Sequence, residues 1–266
     1  MPSTTSTMFD AARAMVETDR LIGVPEVPVT TSPVDPGPRN HDPEPTPPTP
    51  AHVDPTTKDI PAPLTVAVTT DSLGGDPATR LERLETLHAE GCRHCIASTT
   101  HRSIVFGEGD PTSRVLFVGE APGAEEDRIG RPFVGRSGEL LDRMIESVGL
   151  TRRGVYIANV VKVRPPENRT PRPDECDACG PWLLSQIAAI RPRVIVALGA
   201  TPARYLLGTT AGITRLRGSR FDMELGDLRI PVMPTFHPAF VLRRYTEEVR
   251  RAVWQDLKEA ARIAEA

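Results

Sequence analysis

The sequence predicts an α/β protein, a three-layer α/β/α sandwich around a four-stranded parallel sheet, preceded by a disordered proline-rich tail. Three observations predict it. Four short apolar runs lack the alternation of half-exposed strands, which is typical of strands that helices cover on both faces. Helical patterns lie between these runs, and such alternation favours a doubly wound sheet. Prolines and acidic residues are concentrated at the start of the chain.

The tail is predicted to span residues 1–75 and the globular body residues 76–266. The first 75 residues hold 14 of the 28 prolines, with ten acidic and four basic residues, a net charge of −6. Proline fixes φ and removes a donor, and this segment has few large apolar residues to offset the entropy of ordering. Residues 8–22 could form one or two helical turns, but we favour frayed coil. We expect a disordered linker that could bind unknown protein partners.

The body carries the remaining 28 basic and 25 acidic residues, a net charge of +3. A net charge of +3 allows such a body to approach a polyanion. No apolar run approaches the roughly 20 residues of a membrane helix, and the first residues lack the features of a secretory signal. Four cysteines are too few for a disulfide scaffold of this size. We therefore expect a soluble, cytoplasmic protein with no membrane partner.

The predicted elements follow in order along the body. The strands are residues 115–120, 155–161, 194–199 and 230–236. A helix runs into the first cysteine pair, a second is capped by Ser137, a third begins around Pro181, and a last one follows the fourth strand. Their buried faces are marked by apolar residues at helical spacing: Leu81, Leu84 and Leu87; Leu140, Leu141, Met144, Ile145 and Val148; Leu183, Leu184, Ile187 and Ile190; Val249, Val253 and Leu257.

Polar side chains follow the predicted strands at one edge of the sheet. In open parallel sheets, ligands bind beyond the carboxyl ends of the strands. Glu120, Asn159 and His237 lie at the ends of the first, second and fourth strands. An acid, an amide and an imidazole would thus meet at one rim, as a catalytic site requires. Taken singly, each keeps an ordinary alternative: a solvated charged loop, an amide that satisfies a turn, or a packed histidine.

Five ordered blocks of the body resemble the family 4 uracil-DNA glycosylases. They are GEAPG at 119–123, GRPFVG at 130–135, NVVK at 159–162, RPPENR at 164–169 and TFHPA at 235–239. The resemblance extends from about Gly91 to Leu257 and leaves out the tail. It implies a DNA-repair enzyme that flips uracil out of DNA and hydrolyses its N-glycosidic bond, leaving an abasic site.

The resemblance implies two catalytic residues, with charge development as their physical reason. Cleavage builds positive charge on the sugar and negative charge on the departing base. Glu120 is expected near the sugar and the attacking water, and His237 is expected to face uracil O2. A preorganised donor of the latter kind is worth about 2.7–4 kcal/mol.

Four further residues are implied in uracil binding. Phe133 is expected to stack on the flipped base, which returns about 1–3 kcal/mol of the cost of extrusion. Asn159 is expected to donate to O4 and accept from N3–H, a pairing that cytosine would leave mismatched. Gly123 and Glu126 match positions that shape the end of the pocket near Glu120, the sugar and the attacking water.

Arginines on loops at the same rim are candidate phosphate contacts. Each alone could be a solvated surface charge, but a cluster would position DNA without reading its sequence. Leu242 is a candidate wedge into the vacated base stack. The DNA-binding candidates are Arg131, Arg136, Arg217 and Arg243, with Arg215, Arg220 and Arg244 beside them.

The four cysteines form two CxxC pairs with 80 residues between them, whereas a zinc ribbon has roughly 15–20 between its pairs. The resemblance implies instead a four-iron, four-sulfur (4Fe–4S) cluster, of which Cys92, Cys95 and Cys179 match three ligand positions. The remaining position is Val163, which cannot ligate iron. Because such clusters normally use four cysteines, we expect Cys176 to substitute. A non-protein ligand, or four packed thiols without a cluster, are the alternatives.

Other functions stay open at this point. Some relatives in the superfamily hold DNA covalently through a histidine after the second strand, but residues 163–175 contain no histidine. A uracil-DNA-binding or scaffold protein with weak or no glycosylase activity is the main alternative. A nucleotide-phosphate domain is disfavoured because GEAPG lacks the spacing of phosphate-binding loops. A monomer is expected.

Overall fold

The structure is a computed structural model that describes residues 65–266. The helical pattern at 8–22 and most of the predicted tail lie outside the described residues. The helices are α1 (Thr70–Leu73), α2 (Pro77–Gly91), α3 (Arg93–Ala97), α4 (Ala124–Ile129), α5 (Arg136–Glu146), α6 (Pro173–Ile190), α7 (Ala200–Leu207), α8 (Ile213–Leu216), α9 (Pro238–Arg243) and α10 (Glu247–Glu265). The strands are β1 (Glu108–Gly109), β2 (Val115–Gly119), β3 (Tyr156–Asn159), β4 (Val194–Leu198), β5 (Phe221–Leu225) and β6 (Leu228–Thr235).

The six strands of the described residues form one sheet in the order β1-β3-β2-β4-β6-β5. Strands β3, β2, β4 and β6 are parallel, which confirms the four predicted strands. Two antiparallel edge strands, β1 and β5, were not predicted. Strand β1 is only two residues long, and β5 alternates between exposed and less exposed positions, so neither forms a continuous apolar run.

Helices cover both faces of the sheet, which confirms the three-layer α/β class. Alternate residues of β2 point to opposite faces: Leu116 belongs to one apolar cluster and Phe117 to another. The first cluster includes Leu84 of α2 and Leu183 of α6. The second includes Leu141 of α5, together with apolar residues of α10.

Two helix starts differ from the prediction. Helix α5 begins after Gly135, not after a cap at Ser137. Helix α6 begins at Pro173, where Glu175 accepts from the N–H of Arg172, and Pro181 lies inside the helix. Both prolines are compatible with a helix start in isolation, because proline is favoured in the first turn. The acidic residues that follow Pro173 stabilise the earlier start.

The ordered body begins before residue 76. The N–H of Ala67 donates to Pro181 O at 3.1 Å, and that of Val68 donates to Ser185 Oγ at 3.0 Å. Leu73 of α1 is buried in the apolar cluster beneath α6. Across residues 65–266, no helix is both long enough and apolar enough to cross a membrane.

Candidate active site

A cavity of about 650 Å³ lies at the carboxyl ends of the parallel strands. Its walls come from the connections after β2, β3, β4 and β6, the arrangement expected for an open parallel sheet. The structure brings together there all six residues predicted for catalysis and base binding, and two of the predicted arginines: Glu120, Gly123, Glu126, Phe133, Asn159, His237, Arg136 and Arg243.

Phe133 and Asn159 form a tightly fitted surface over Gly119. A Cβ atom on Gly119 would lie 2.3 Å from Asn159 Oδ1 and 2.5 Å from Phe133 Cζ. The ring of Phe133 lies 5.7 Å from that of His237, with 33° between the ring planes. Asn159 is 1% exposed, and its Oδ1 has no hydrogen-bond partner among the described residues. A buried amide oxygen with no partner is uncommon and points to a missing donor.

Glu126 holds the loop that carries Phe133. Its Oε1 accepts from the N–H groups of Val134 at 2.9 Å and Gly135 at 3.0 Å, and its Oε2 accepts from that of Gly123 at 3.2 Å. Phe133 itself has a φ of 51°, a left-handed conformation that a bulky residue adopts only when its surroundings enforce it. Glu126 therefore fixes the loop of Phe133 through two backbone bonds and joins it to the turn at Gly123 through a third.

Glu120 is fixed by a residue that sequence analysis missed. Thr201, in the first turn of α7, donates from Oγ1 to Glu120 Oε2 at 2.5 Å. The only signal in the sequence was that Thr201 closely follows Gly199, at the same rim as Glu120. The bond leaves the acid oriented in the cavity wall.

His237 is a neutral hydrogen-bond donor in this environment. It caps α9, and its Nδ1 accepts from the N–H of Ala239 at 3.1 Å. In an uncharged ring the proton is then on Nε2. Burial, and after it the positive Arg243, lower the pKa of His237 to about 4 against an opposing effect of Glu126. At neutral pH the imidazole is uncharged.

The predicted DNA contacts divide into two pairs. Arg136 and Arg243 are exposed and line the cavity. Arg131 instead pairs with Glu108 at 2.6 Å, and Arg217 pairs with the buried Asp256 at 2.8 Å. These two arginines do not line the cavity.

Leu242, the predicted wedge, is half-buried and packs against the apolar cluster of α5 and α10. It therefore has a core contact in the structure.

A second cluster gathers three of the cysteines with a histidine. His88 Nε2 and the Sγ atoms of Cys92, Cys95 and Cys179 all lie within 4.8 Å of one another, and all four residues are buried. None of them lines the cavity. This group of one imidazole and three thiols can hold a metal, and it differs from the set of four cysteines that the sequence predicts.

Cys176, the expected replacement for the ligand missing at Val163, is not in this group, and His88 stands there instead. Cys176 precedes Cys179 by three residues on α6, so the two lie on neighbouring turns of one face, but Cys176 is not among the donors that lie within 4.8 Å of one another. Burial raises the pKa of the Cys176 thiol to about 12. The compact group therefore offers three thiols and one imidazole, and no fourth thiol lies within it.

Sequence comparisons agree with the geometry of the cavity. The family described as the uracil DNA glycosylase superfamily matches residues 106–258. A type-4 uracil-DNA glycosylase of Thermotoga maritima is 48% identical over 186 residues, 68% of this chain and 95% of the relative. The chain belongs to the type-4 uracil-DNA glycosylases.

Two other relatives show how far the likeness extends. The type-4 uracil-DNA glycosylase of Archaeoglobus fulgidus is 40% identical over 191 residues, 69% of this chain and 94% of the relative. A type-5 uracil-DNA glycosylase of Thermus thermophilus is 37% identical over 118 residues, 39% of this chain and 53% of that protein. As a type-4 uracil-DNA glycosylase, the chain is a DNA-repair hydrolase that acts on N-glycosyl bonds, and DNA is its partner.

Proposed function

We propose that the cavity binds a uracil flipped out of DNA and that its residues hydrolyse the N-glycosidic bond, leaving an abasic site. The observation that carries the proposal is the unpaired Oδ1 of Asn159, buried beside Phe133. Leaving such an oxygen unpaired costs about 1–3 kcal/mol. The N3–H of uracil is a donor that would remove this cost, whereas N3 of cytosine is an acceptor and would not.

Base binding offsets the cost of extrusion. Flipping a nucleotide costs a few kcal/mol, least for a mismatched or unpaired base. Stacking on Phe133 returns about 1–3 kcal/mol, and the amide nitrogen of Asn159 donates to O4. Because Glu126 fixes the loop of Phe133 through two backbone bonds, the stacking surface exists before the base arrives.

The catalytic groups stand where charge develops. The bond from C1′ to N1 breaks with its electron pair on the base, a water adds to C1′, and the water's proton ends on the departed base. His237 donates from Nε2 to the O2 of the departing anion, an interaction worth about 2.7–4 kcal/mol. Glu120, oriented by Thr201, stabilises the cationic sugar and orients the water.

The two arginines that line the cavity are the proposed contacts to DNA. Arg136 and Arg243 are exposed there and would each neutralise a phosphate. Arg131 and Arg217 hold structural ion pairs instead and support neighbouring loops.

The remaining parts of the proposal concern the cofactor and the setting. The resemblance implies a 4Fe–4S cluster, for which Cys92, Cys95 and Cys179 are in place and a fourth cysteine is not; no step of the hydrolysis passes through this centre. The four cysteines are free, which supports a reducing, cytoplasmic location. We expect the enzyme to act as a monomer; protein partners of the segment before residue 65 stay a prediction.

One assay tests this function. A labelled oligonucleotide with a single uracil is incubated with the protein, treated with hot alkali and run on a denaturing gel, beside matched oligonucleotides with cytosine or thymine. Cleavage only at uracil supports the proposal. A band that survives denaturation would indicate covalent trapping, and an uncleaved substrate would indicate a binding or scaffold protein.

A further inference from the structure

Three buried cysteines surround a buried histidine at the junction of α2, α3 and α6. The Sγ atoms of Cys95 and Cys179 are 3.7 Å apart. His88 Nε2 lies 3.4 Å from Cys95 Sγ and 3.9 Å from Cys179 Sγ. Cys92 completes the group within 4.8 Å. Because residue 163 is valine, His88 is the fourth donor that the described residues offer.

The distances between these donor atoms match those around a single tetrahedral zinc ion. Zinc binds thiolates at about 2.3 Å and imidazole at about 2.0–2.1 Å, so the ligand atoms of a tetrahedral site stand about 3.5–3.8 Å apart. The separations of 3.4–3.9 Å between these donor atoms lie around this value. A 4Fe–4S cluster places four irons and four sulfides between its ligands, which must therefore stand farther apart.

The surroundings of His88 are those of a residue held for ligation. It is 0% exposed, and its Nδ1 has no hydrogen-bond partner within residues 65–266. Its ring is held at 5.2 Å from Trp182 and 5.6 Å from Phe106. An imidazole on the apolar face of α2, where Leu84 precedes it by one turn, is costly without a polar partner. A metal bond at Nε2, the nitrogen that faces the sulfurs, gives the buried ring one polar partner, while Nδ1 still has none within residues 65–266.

We propose that His88, Cys92, Cys95 and Cys179 hold a single tetrahedral metal ion of the zinc type, in place of an iron–sulfur cluster. The ion joins α2 and the start of α3 to α6. Its effect reaches β3, because the N–H of Lys162 donates to Cys179 Sγ at 3.3 Å. Lys162 Nζ in turn donates to Asn159 O at 2.8 Å. The centre is structural and supports the end of the strand that carries the base-reading amide.

Metal analysis of the full chain tests this proposal independently of glycosylase activity. The protein is purified without oxygen from cells supplied with both iron and zinc, so that an iron–sulfur cluster would survive. We expect about one zinc per chain, no acid-labile sulfide and a colourless solution, as a mononuclear structural site requires. Iron with stoichiometric sulfide and a brown colour, or a chain without bound metal, would overturn the proposal.

Variants locate the fourth ligand. His88→Ala should weaken zinc binding more than about tenfold, since losing even an outer-shell partner costs about 10–100-fold. Cys176→Ser is the matched control and should keep its zinc. His88→Cys keeps the proposal testable if the alanine variant does not fold: it should bind metal as a four-thiolate site, and its cobalt-substituted visible spectrum should shift from that of the wild type. An unshifted spectrum, or zinc loss in Cys176→Ser with retention in His88→Ala, would exclude His88 as the ligand.

Discussion

Thr201 Oγ1 donates a hydrogen bond to Glu120 Oε2 at 2.5 Å, joining the connections that follow the neighbouring strands β2 and β4. The two residues are 81 positions apart in the chain. The bond fixes one carboxylate oxygen and leaves the group facing the cavity. The acid of the proposed site is therefore oriented by the adjacent strand connection.

Replacing Thr201 with valine should slow hydrolysis with little change in fold. Hydrogen bonds to charged groups are worth about 1.5–3 kcal/mol, which corresponds to a fall in kcat of about 10–100-fold. Single-turnover kinetics on a uracil oligonucleotide measure this. Thr201→Ser keeps the hydroxyl and should retain most of the rate; equal losses in both variants would show that the hydroxyl has no role.

Gly119→Ala should destroy uracil binding, because its Cβ would lie 2.3 Å from Asn159 Oδ1 and 2.5 Å from the Phe133 ring. Both groups must move, so kcat/KM should fall by about 100-fold or more, as for a misplaced catalytic geometry. Gly212→Ala is the matched control, since a Cβ there meets nothing within 4 Å. Wild-type kinetics in Gly119→Ala would contradict the base-binding role of this surface.

The pH dependence of activity follows from His237. Because burial lowers its pKa to about 4, the imidazole stays neutral from pH 8 down to about pH 5, and kcat/KM should show no fall due to His237 in that range. Steady-state kinetics across pH 4–9 test this. A fall with an apparent pKa near 6.5 would mean that the ring titrates as in water.

The same shift makes stability depend on pH. The folded pKa of His237 lies below its unfolded value, so protonation favours the unfolded chain. Its contribution to the free energy of unfolding is complete above pH 6.5, declines as the pH falls from 6.5 to about 4, and is then lost. Urea unfolding of the wild type and His237→Asn should show a larger decline in the wild type over this interval.

Substitutions of Arg136 and Arg217 should differ in their effects on DNA binding and on the free energy of unfolding. Arg136→Ala should lower the slope of log K against log salt concentration by about 0.9, the share of one phosphate contact. Arg217→Ala should leave the slope unchanged but destabilise the fold by about 3 kcal/mol, because Asp256 is 2% exposed and would lose its charged partner, keeping the Thr235 hydroxyl at 2.7 Å. Fluorescence anisotropy at several salt concentrations and urea unfolding measure both. Reversed effects would assign the phosphate contact to Arg217.

The sequence predicted the parallel strands because each one leaves a continuous apolar run, and it predicted the rim because polar residues stand where those runs end. Strand β5 was missed because its half-exposed pattern resembles a loop. Pro181 was misread as a helix start because proline fits both a first turn and, where the lost bond is tolerated, a buried helix interior.

By itself, the sequence determined which residue types could reach the cavity: the acid, amide and imidazole follow from the strand ends, which are local properties of the chain, and the ring of Phe133 follows from the family resemblance. Tertiary structure determined which residues of the chain pair with one another. Arg217 pairs with Asp256, and Cys179 lies beside His88 in a group that leaves out Cys176. Such pairings join residues 39 and 91 positions apart, and contacts of that span leave no trace in local spacing, because they depend on how whole elements pack.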